Sequence, residues 1–80
     1  MDNRLKELRG QKGWSQAALA DQVGTSRQTI NALENDRYDP SLPLAFRLSV
    51  ALEEAIEDLF QPSAEDLGAN MPVTSDSGQR

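Results

Sequence analysis

Apolar residues along this chain recur at three- and four-residue spacing, the period of a helix, and nowhere alternate as a half-buried strand requires. Leu5 and Leu8 mark a first helix that Asp2 or Asn3 can cap, with Gly10 inside it and Gly13 at its end. Ser15 caps a second helix with Leu19, Ala20 and Val23 on one face; Gly24 follows directly, where a left-handed turn residue belongs. Ser26 caps a third, bearing Ile30 and Leu33. The stretch NDRYDP then has turn chemistry, and Pro40 excludes helix at Asp39. Ser41 caps a fourth helix, with Pro43 tolerated in its first turn and Leu42, Ala45, Leu48 and Leu52 as core positions. A fifth, from about Glu54 to Phe60, carries Ile56, Leu59 and Phe60, and Pro62 stops it. The pattern predicts an all-α, compact bundle of five short helices over residues 1–61. Residues 62–80, with much Ser, Asp and Asn, hold too few apolar side chains to pack alone and read as a flexible tail.

The second and third helices carry the information. Leu19, Val23, Ile30 and Leu33 make one cluster that sets the angle between them, and Ala20 is small where the partner helix passes close. Two helices joined by a short turn containing Gly describe a helix-turn-helix. At about 100° per residue, Arg27, Gln28 and Asn31 share one sector of the third helix, while Ile30 and Leu33 point inward. On a lone helix such a trio is a solvated face. In a two-helix frame it is a base-reading surface, because Arg can bond guanine O6 and N7, and Gln or Asn can bond adenine N6 and N7. The helix starts at Ser15–Gln16 and Ser26–Arg27 offer N–H groups to phosphate, with Thr29 beside Ser26 as a further backbone contact. Asn35 and Arg37 lie where a neighbouring phosphate would pass. The plainer alternatives stay open: Gln16 only starts a helix, Asn35 only ends one, and Asp36 and Asp39 blunt the field of Arg37.

Charge complicates that picture. The 80 residues sum to −5, which by itself argues against a polyanionic partner. The distribution is uneven: residues 1–37 hold six basic and five acidic residues, and residues 38–80 hold two and eight, so only the first half suits DNA. The chain has no Cys and no His, which removes disulfides, the usual zinc ligands and His-based acid–base chemistry. No cofactor or metal is expected, and no nucleophile–base pair suggests an enzyme. The acids Glu53, Glu54, Glu57 and Asp58 read as an exposed face rather than a metal site. With no apolar run of membrane-spanning length and a polar start, MDNRLKEL, the expectation is a soluble cytoplasmic protein without a membrane partner.

The stretch SQAALADQVGTSRQTINALENDRYDPSLPLAFRL resembles the Cro and phage-repressor type of helix-turn-helix, the XRE family. Within it and beside it, RLKELRGQKGWSQ, TSRQTINALENDRYDPSLPLAF and IEDLF are similar to very small single-domain bacterial and archaeal regulators. The match covers about residues 3–61. It implies a five-helix domain that binds duplex DNA as a homodimer on inverted repeats. Carried over by position, it puts Arg27, Gln28 and Asn31 on the base-reading face and Gln16 and Asn35 near the backbone. It also implies an ion pair between Arg9 and Glu34, joining the first helix to the third. Two departures stand out. Thr25 occupies a turn position that is usually apolar. The segment LEEAIEDLF lacks the Gly and the Ser or Thr that commonly separate the last two helices, so those helices are expected to run together or bend without a sharp break.

Other side chains have structural readings. Trp14 is expected to plug the gap between the first helix and the start of the second, and Tyr38 to pack with a wet hydroxyl. Leu44, Phe46 and Val50 form an apolar surplus on the fourth helix. Phe46 and Val50, four apart, either close over the fifth helix or form a dimer interface, the favoured reading, built from the fourth and fifth helices with Met71, Pro72 and Val73 of the tail as further candidates. The function expected is a DNA-binding transcriptional repressor. The alternative is an antitoxin-like module that binds a protein partner through its acidic C-terminal half.

Overall fold

The computed structural model of the chain describes residues 1–63 together with Asp66 and Gly68. In order, the elements are β1 (Asp2–Asn3), α1 (Leu5–Gln11), α2 (Gln16–Val23), α3 (Arg27–Glu34), α4 (Leu42–Leu52), α5 (Ile56–Leu59) and β2 (Phe60–Gln61). Residues 71–73, candidates for the dimer contact, lie outside the described residues.

Helix starts follow the sequence closely. The hydroxyls of Ser15, Ser26 and Ser41 accept from the amides of Ala18, Thr29 and Leu44, each satisfying one of the donors that a helix start leaves orphaned. Pro43 sits in the first turn of α4. At the start of α1, Asn3 is the capping residue rather than Asp2: its Oδ1 accepts from Leu5 N at 3.1 Å, although Arg4 is the residue flanking the helix. Its Nδ2 donates to Leu33 O at 2.7 Å, a second bond to a carbonyl that also accepts from Asp36 N at 3.1 Å, so the same side chain ties the start of α1 to the end of α3. The antiparallel pair β1–β2 (Asp2 with Gln61, Asn3 with Phe60) was not legible as a strand pattern, since two residues cannot show alternation. Arg4 N donates to Leu59 O at 2.9 Å beside it, tying the start of α1 to the end of α5.

Helix ends share one geometry. At α1, α2, α3 and α4 a residue with positive φ follows the helix: Gly13 (71°), Gly24 (72°), Asp36 (59°) and Glu53 (58°). The next amide reaches back five residues in each case: Trp14 to Arg9 O, Thr25 to Ala20 O, Arg37 to Ala32 O, and Glu54 to Ser49 O. This is the Schellman arrangement, which satisfies the last carbonyls and turns the chain sharply. The expectation that α4 and α5 run together is therefore overturned. Glu53 does what a glycine usually does, and Ala55, without a side-chain cap, starts α5 at Ile56. Helix propensity favoured continuation at residues 53–55, but burial of both Leu52 and Leu59 needs the turn.

The core is one cluster: Leu5, Leu8, Leu19, Ala20, Val23, Ile30, Leu33, Leu44, Ala45, Leu48, Leu52, Leu59 and Phe60. Trp14 and Ile56 pack against it, half-buried. One core assignment is corrected. Leu44 is buried and Leu42 is 65% exposed. At 100° per residue Leu44, Ala45, Leu48 and Leu52 fall on one side of α4, whereas Leu42, Phe46 and Val50 advance together around the other. Tyr38 is about half exposed in the loop after α3.

Arg9 and Glu34 lock α1 to α3. The guanidinium holds the carboxylate through two bonds, Nε to Oε2 at 2.7 Å and Nη2 to Oε1 at 3.1 Å, and its Nη1 donates to Trp14 O at 2.8 Å. The Glu34 side chain is 3% exposed and that of Arg9 15%. Burial pushes the Glu34 carboxyl upward, but the bonds from Arg9 and Gln16 and the charges of Arg9 and Lys6 outweigh it, leaving the group below the usual carboxylate range.

Glu53→Gly should stabilise the fold by about 1 kcal/mol, because glycine adopts positive φ without a Cβ clash. The bond it removes, from Lys12 Nζ at 3.3 Å, is a surface pair of little weight; urea denaturation measures the difference. Glu34→Gln strands the Arg9 charge and should cost about 3 kcal/mol near neutral pH. Because the folded carboxyl lies below its unfolded value of about 4.3, its contribution is present above that pH and lost as pH falls through the folded value. The stability gap between native protein and Glu34→Gln should therefore narrow on acidification below about pH 4.

Candidate nucleic-acid interface

The geometry of α2 and α3 begins with the turn between them. Gly24 at positive φ, followed by the Ser26 cap, leaves two residues, Thr25 and Ser26, before α3 starts. Thr25 is half-buried, so the polar residue at this turn position still covers part of the core. Arg47 of α4 donates from Nε to Val23 O at 2.8 Å, closing an open carbonyl at the end of α2. The turn is thus held from both ends and from a third helix.

On α3, Ile30 and Leu33 are fully buried, and this fixes how the helix rotates about its axis. Arg27 and Gln28 are consequently exposed at its first turn, and Asn31, one turn on, is half-buried. No carboxylate among the described residues pairs with Arg27 or Arg37, whereas Arg4 is held by Glu7, Arg9 by Glu34 and Lys12 by Glu53. The structure therefore leaves uncommitted arginines at both ends of α3.

The remaining candidates are less free than their sequence positions suggested. Ser26 Oγ caps the helix and also lies 3.0 Å from Thr29 Oγ1, so the two hydroxyls bond to each other. Asn35 folds back, its Nδ2 donating to Asn31 O at 2.8 Å, which closes the end of α3. Gln16 donates from Nε2 to Glu34 Oε1 at 3.0 Å and accepts at Oε1 from Asn31 Nδ2 at 3.5 Å. Gln16 and Asn31, assigned separately to backbone and base, are thereby brought into one network with the Arg9–Glu34 pair. Sequence reasoning missed that link because the residues belong to different helices and only the packing angle brings them together.

Phe46 and Val50 stand apart from α3 as an exposed apolar pair on α4, 55% and 78% accessible. Leu42 joins them, and the 100° arithmetic applied from Leu48 outward would have placed it there. No helix among the described residues is long and apolar enough to cross a membrane.

Comparison with known proteins agrees with this geometry. The helix-turn-helix family model matches residues 5–59. An uncharacterised HTH-type transcriptional regulator of Bacillus subtilis, YgzD, is 45% identical over 60 residues, covering 75% of this chain and 91% of that protein. Antitoxin HipB of Escherichia coli is 37% identical over 51 residues, 64% of this chain and 54% of the antitoxin. Among solved structures, the restriction-modification controller protein C.AhdI of Aeromonas hydrophila superposes with a TM-score of 0.66 at 37% identity, over 71% of this chain and 86% of that one. The matched span runs from the first core leucine of α1 to the last of α5, so the chain belongs to the helix-turn-helix family of DNA-binding transcriptional regulators, in its XRE type.

Proposed function

We propose that this protein is a cytoplasmic repressor that recognises duplex DNA as a homodimer on an inverted-repeat operator. The observation that carries the reading is the rotation of α3: Ile30 and Leu33 are buried, and Arg27 and Gln28 stand exposed at the helix start. In this motif that end of the second helix enters the major groove. Arg27, Gln28 and Asn31 then face base edges. Ser26, Thr29, Asn35 and Arg37, with the second amide hydrogen of Gln16, face the phosphates, as do the N–H groups at the starts of α2 and α3. Residues 1–61 form the DNA-binding unit. Repression needs no chemistry beyond occupancy, two half-sites about 34 Å apart being covered by one dimer.

Leu42, Phe46 and Val50 support the dimer, because three exposed apolar side chains on one side of a helix are costly to leave in water. A second reading, an antitoxin-like module with a protein partner, is favoured by the similarity to HipB and by the acidic second half of the chain. The two are compatible, since a protein partner would meet the acidic half and DNA would meet α3.

Selection of bound duplexes from a random pool should enrich an inverted repeat with half-sites about one helical turn apart. Arg27→Ala should then cost about 1–3 kcal/mol, concentrated at one base pair in each half-site. Loss spread evenly over all positions would remove Arg27 from base reading. Light scattering should give a dimer for the native protein and a monomer for Phe46→Asp. A Phe46→Asp protein that remains dimeric would take that residue out of the interface.

A further inference from the structure

Gln16, at the first position of α2, lies between two side chains of α3. Its Nε2 donates to Glu34 Oε1 at 3.0 Å, and its Oε1 faces Asn31 Nδ2 at 3.5 Å. The first of these bonds has one chemically allowed direction. Glu34, gripped by both arms of the Arg9 guanidinium, is a carboxylate, and a carboxylate has no hydrogen to give. Gln16 must turn its NH2 toward Glu34, which turns its oxygen toward Asn31. Asn31, facing that oxygen, must offer it an N–H. Directed away from the network, Asn31 is left with its Oδ1 and its second N–H.

That remainder matters for a base edge. Adenine presents an acceptor at N7 and a donor at N6, which an amide oxygen and one N–H complement. Guanine presents two acceptors, N7 and O6, and calls for two donors. An Asn31 amide turned over, oxygen inward, would have both N–H groups free for guanine. We propose that Glu34, acting through Gln16, sets the polarity of the Asn31 amide and so makes Asn31 a reader of adenine rather than guanine. Glu34 and Gln16 are positioning residues here, since the choice of base passes through them while Asn31 makes the contact. The inference rests on α3 being the base-reading helix. Its content is a direction of hydrogen bonding that starts at a buried ion pair and ends at the surface.

The test uses the full chain and Gln16→Met, which removes both the acceptor and the donor of the side-chain amide, keeps the length of the side chain and leaves Arg9 and Glu34 paired. Gln16→Ala serves as a second variant, and thermal melting confirms folding of both. The probes are the duplexes selected from the random pool. The base pair read by Asn31 is located as the one at which Asn31→Ala loses discrimination, and it is then switched between A·T and G·C. Native protein should prefer adenine there by about tenfold, the scale of one well-formed amide–base pair. In Gln16→Met the ratio should fall to about threefold or less, while discrimination at the Arg27 position stays intact. A merely structural Gln16 would change affinity at all positions together. Without DNA, the side-chain amide protons of Asn31 in a nitrogen-edited NMR spectrum should move toward solvent-exposed values in Gln16→Met. A guanine preference at the Asn31 position, an adenine preference retained in both variants, or amide protons that do not move would overturn the inference while leaving the regulator reading in place. Failure to bind any duplex selectively would overturn both.

Discussion

A buried carboxylate organises this small protein. Glu34 ends α3 almost fully enclosed, and a charge in that position persists only because Arg9 answers it with two hydrogen bonds. The consequence is geometric. Arg9 belongs to α1, Gln16 to α2 and Glu34 to α3, so three helices meet at one ionised group. Arg9 also holds the carbonyl of Trp14, in the connection between α1 and α2. The apolar core alone would let α3 roll by small angles at modest cost, because leucine and isoleucine contacts are not directional. Directional bonds to a carboxylate are, and they register α3 against both preceding helices. Burial of Ile30 and Leu33 chooses which side of α3 faces outward, and the ion pair removes the remaining small-angle freedom.

A second constraint is the way the helices end. With helices of seven to eleven residues before the last, unsatisfied end groups are a large share of the backbone, and each end must be closed. The chain uses the same positive-φ turn four times, twice with glycine and twice with an acidic residue. Side chains from elsewhere complete the closure, Asn3 reaching the end of α3 and Arg47 the end of α2. Acidic residues at Asp36 and Glu53 carry a backbone strain that glycine would not. Among the described residues, Glu53 gains no compensating contact beyond its exposed pair with Lys12.

The net negative charge, which by its sum speaks against DNA, is not lessened by internal pairing, since each pair removes one basic and one acidic residue. Much of the basic character of the first half is spent internally, on Glu7, Glu34 and Glu53. Arg27 and Arg37 are the exceptions at α3, and what matters to a phosphate or a base is the local field rather than the sum. The acidic residues of the α4–α5 junction belong to other elements, and at the end of α3 exposed Asp36 and Asp39 flank Arg37, so of these two the arginine with no acidic neighbour in the chain is Arg27.

Caps, turns and the buried stripes were written in local chemistry. Ser15, Ser26 and Ser41 announce helix starts, Gly13 and Gly24 announce ends, and the spacing of Leu19, Val23, Ile30 and Leu33 determines the two-helix motif and the outward placement of Arg27 and Gln28. Each of these needs only neighbours in the chain, which is why the sequence by itself determined them. The break at Glu53, the burial of Leu44 in place of Leu42, the β1–β2 pairing and the meeting of Gln16 with Asn31 and Glu34 depended on the tertiary structure. In those cases local preference was neutral or pointed the wrong way. The outcome was decided by which arrangement buries the most apolar surface while leaving the fewest polar groups unpaired, a quantity that exists only when all five helices are in place.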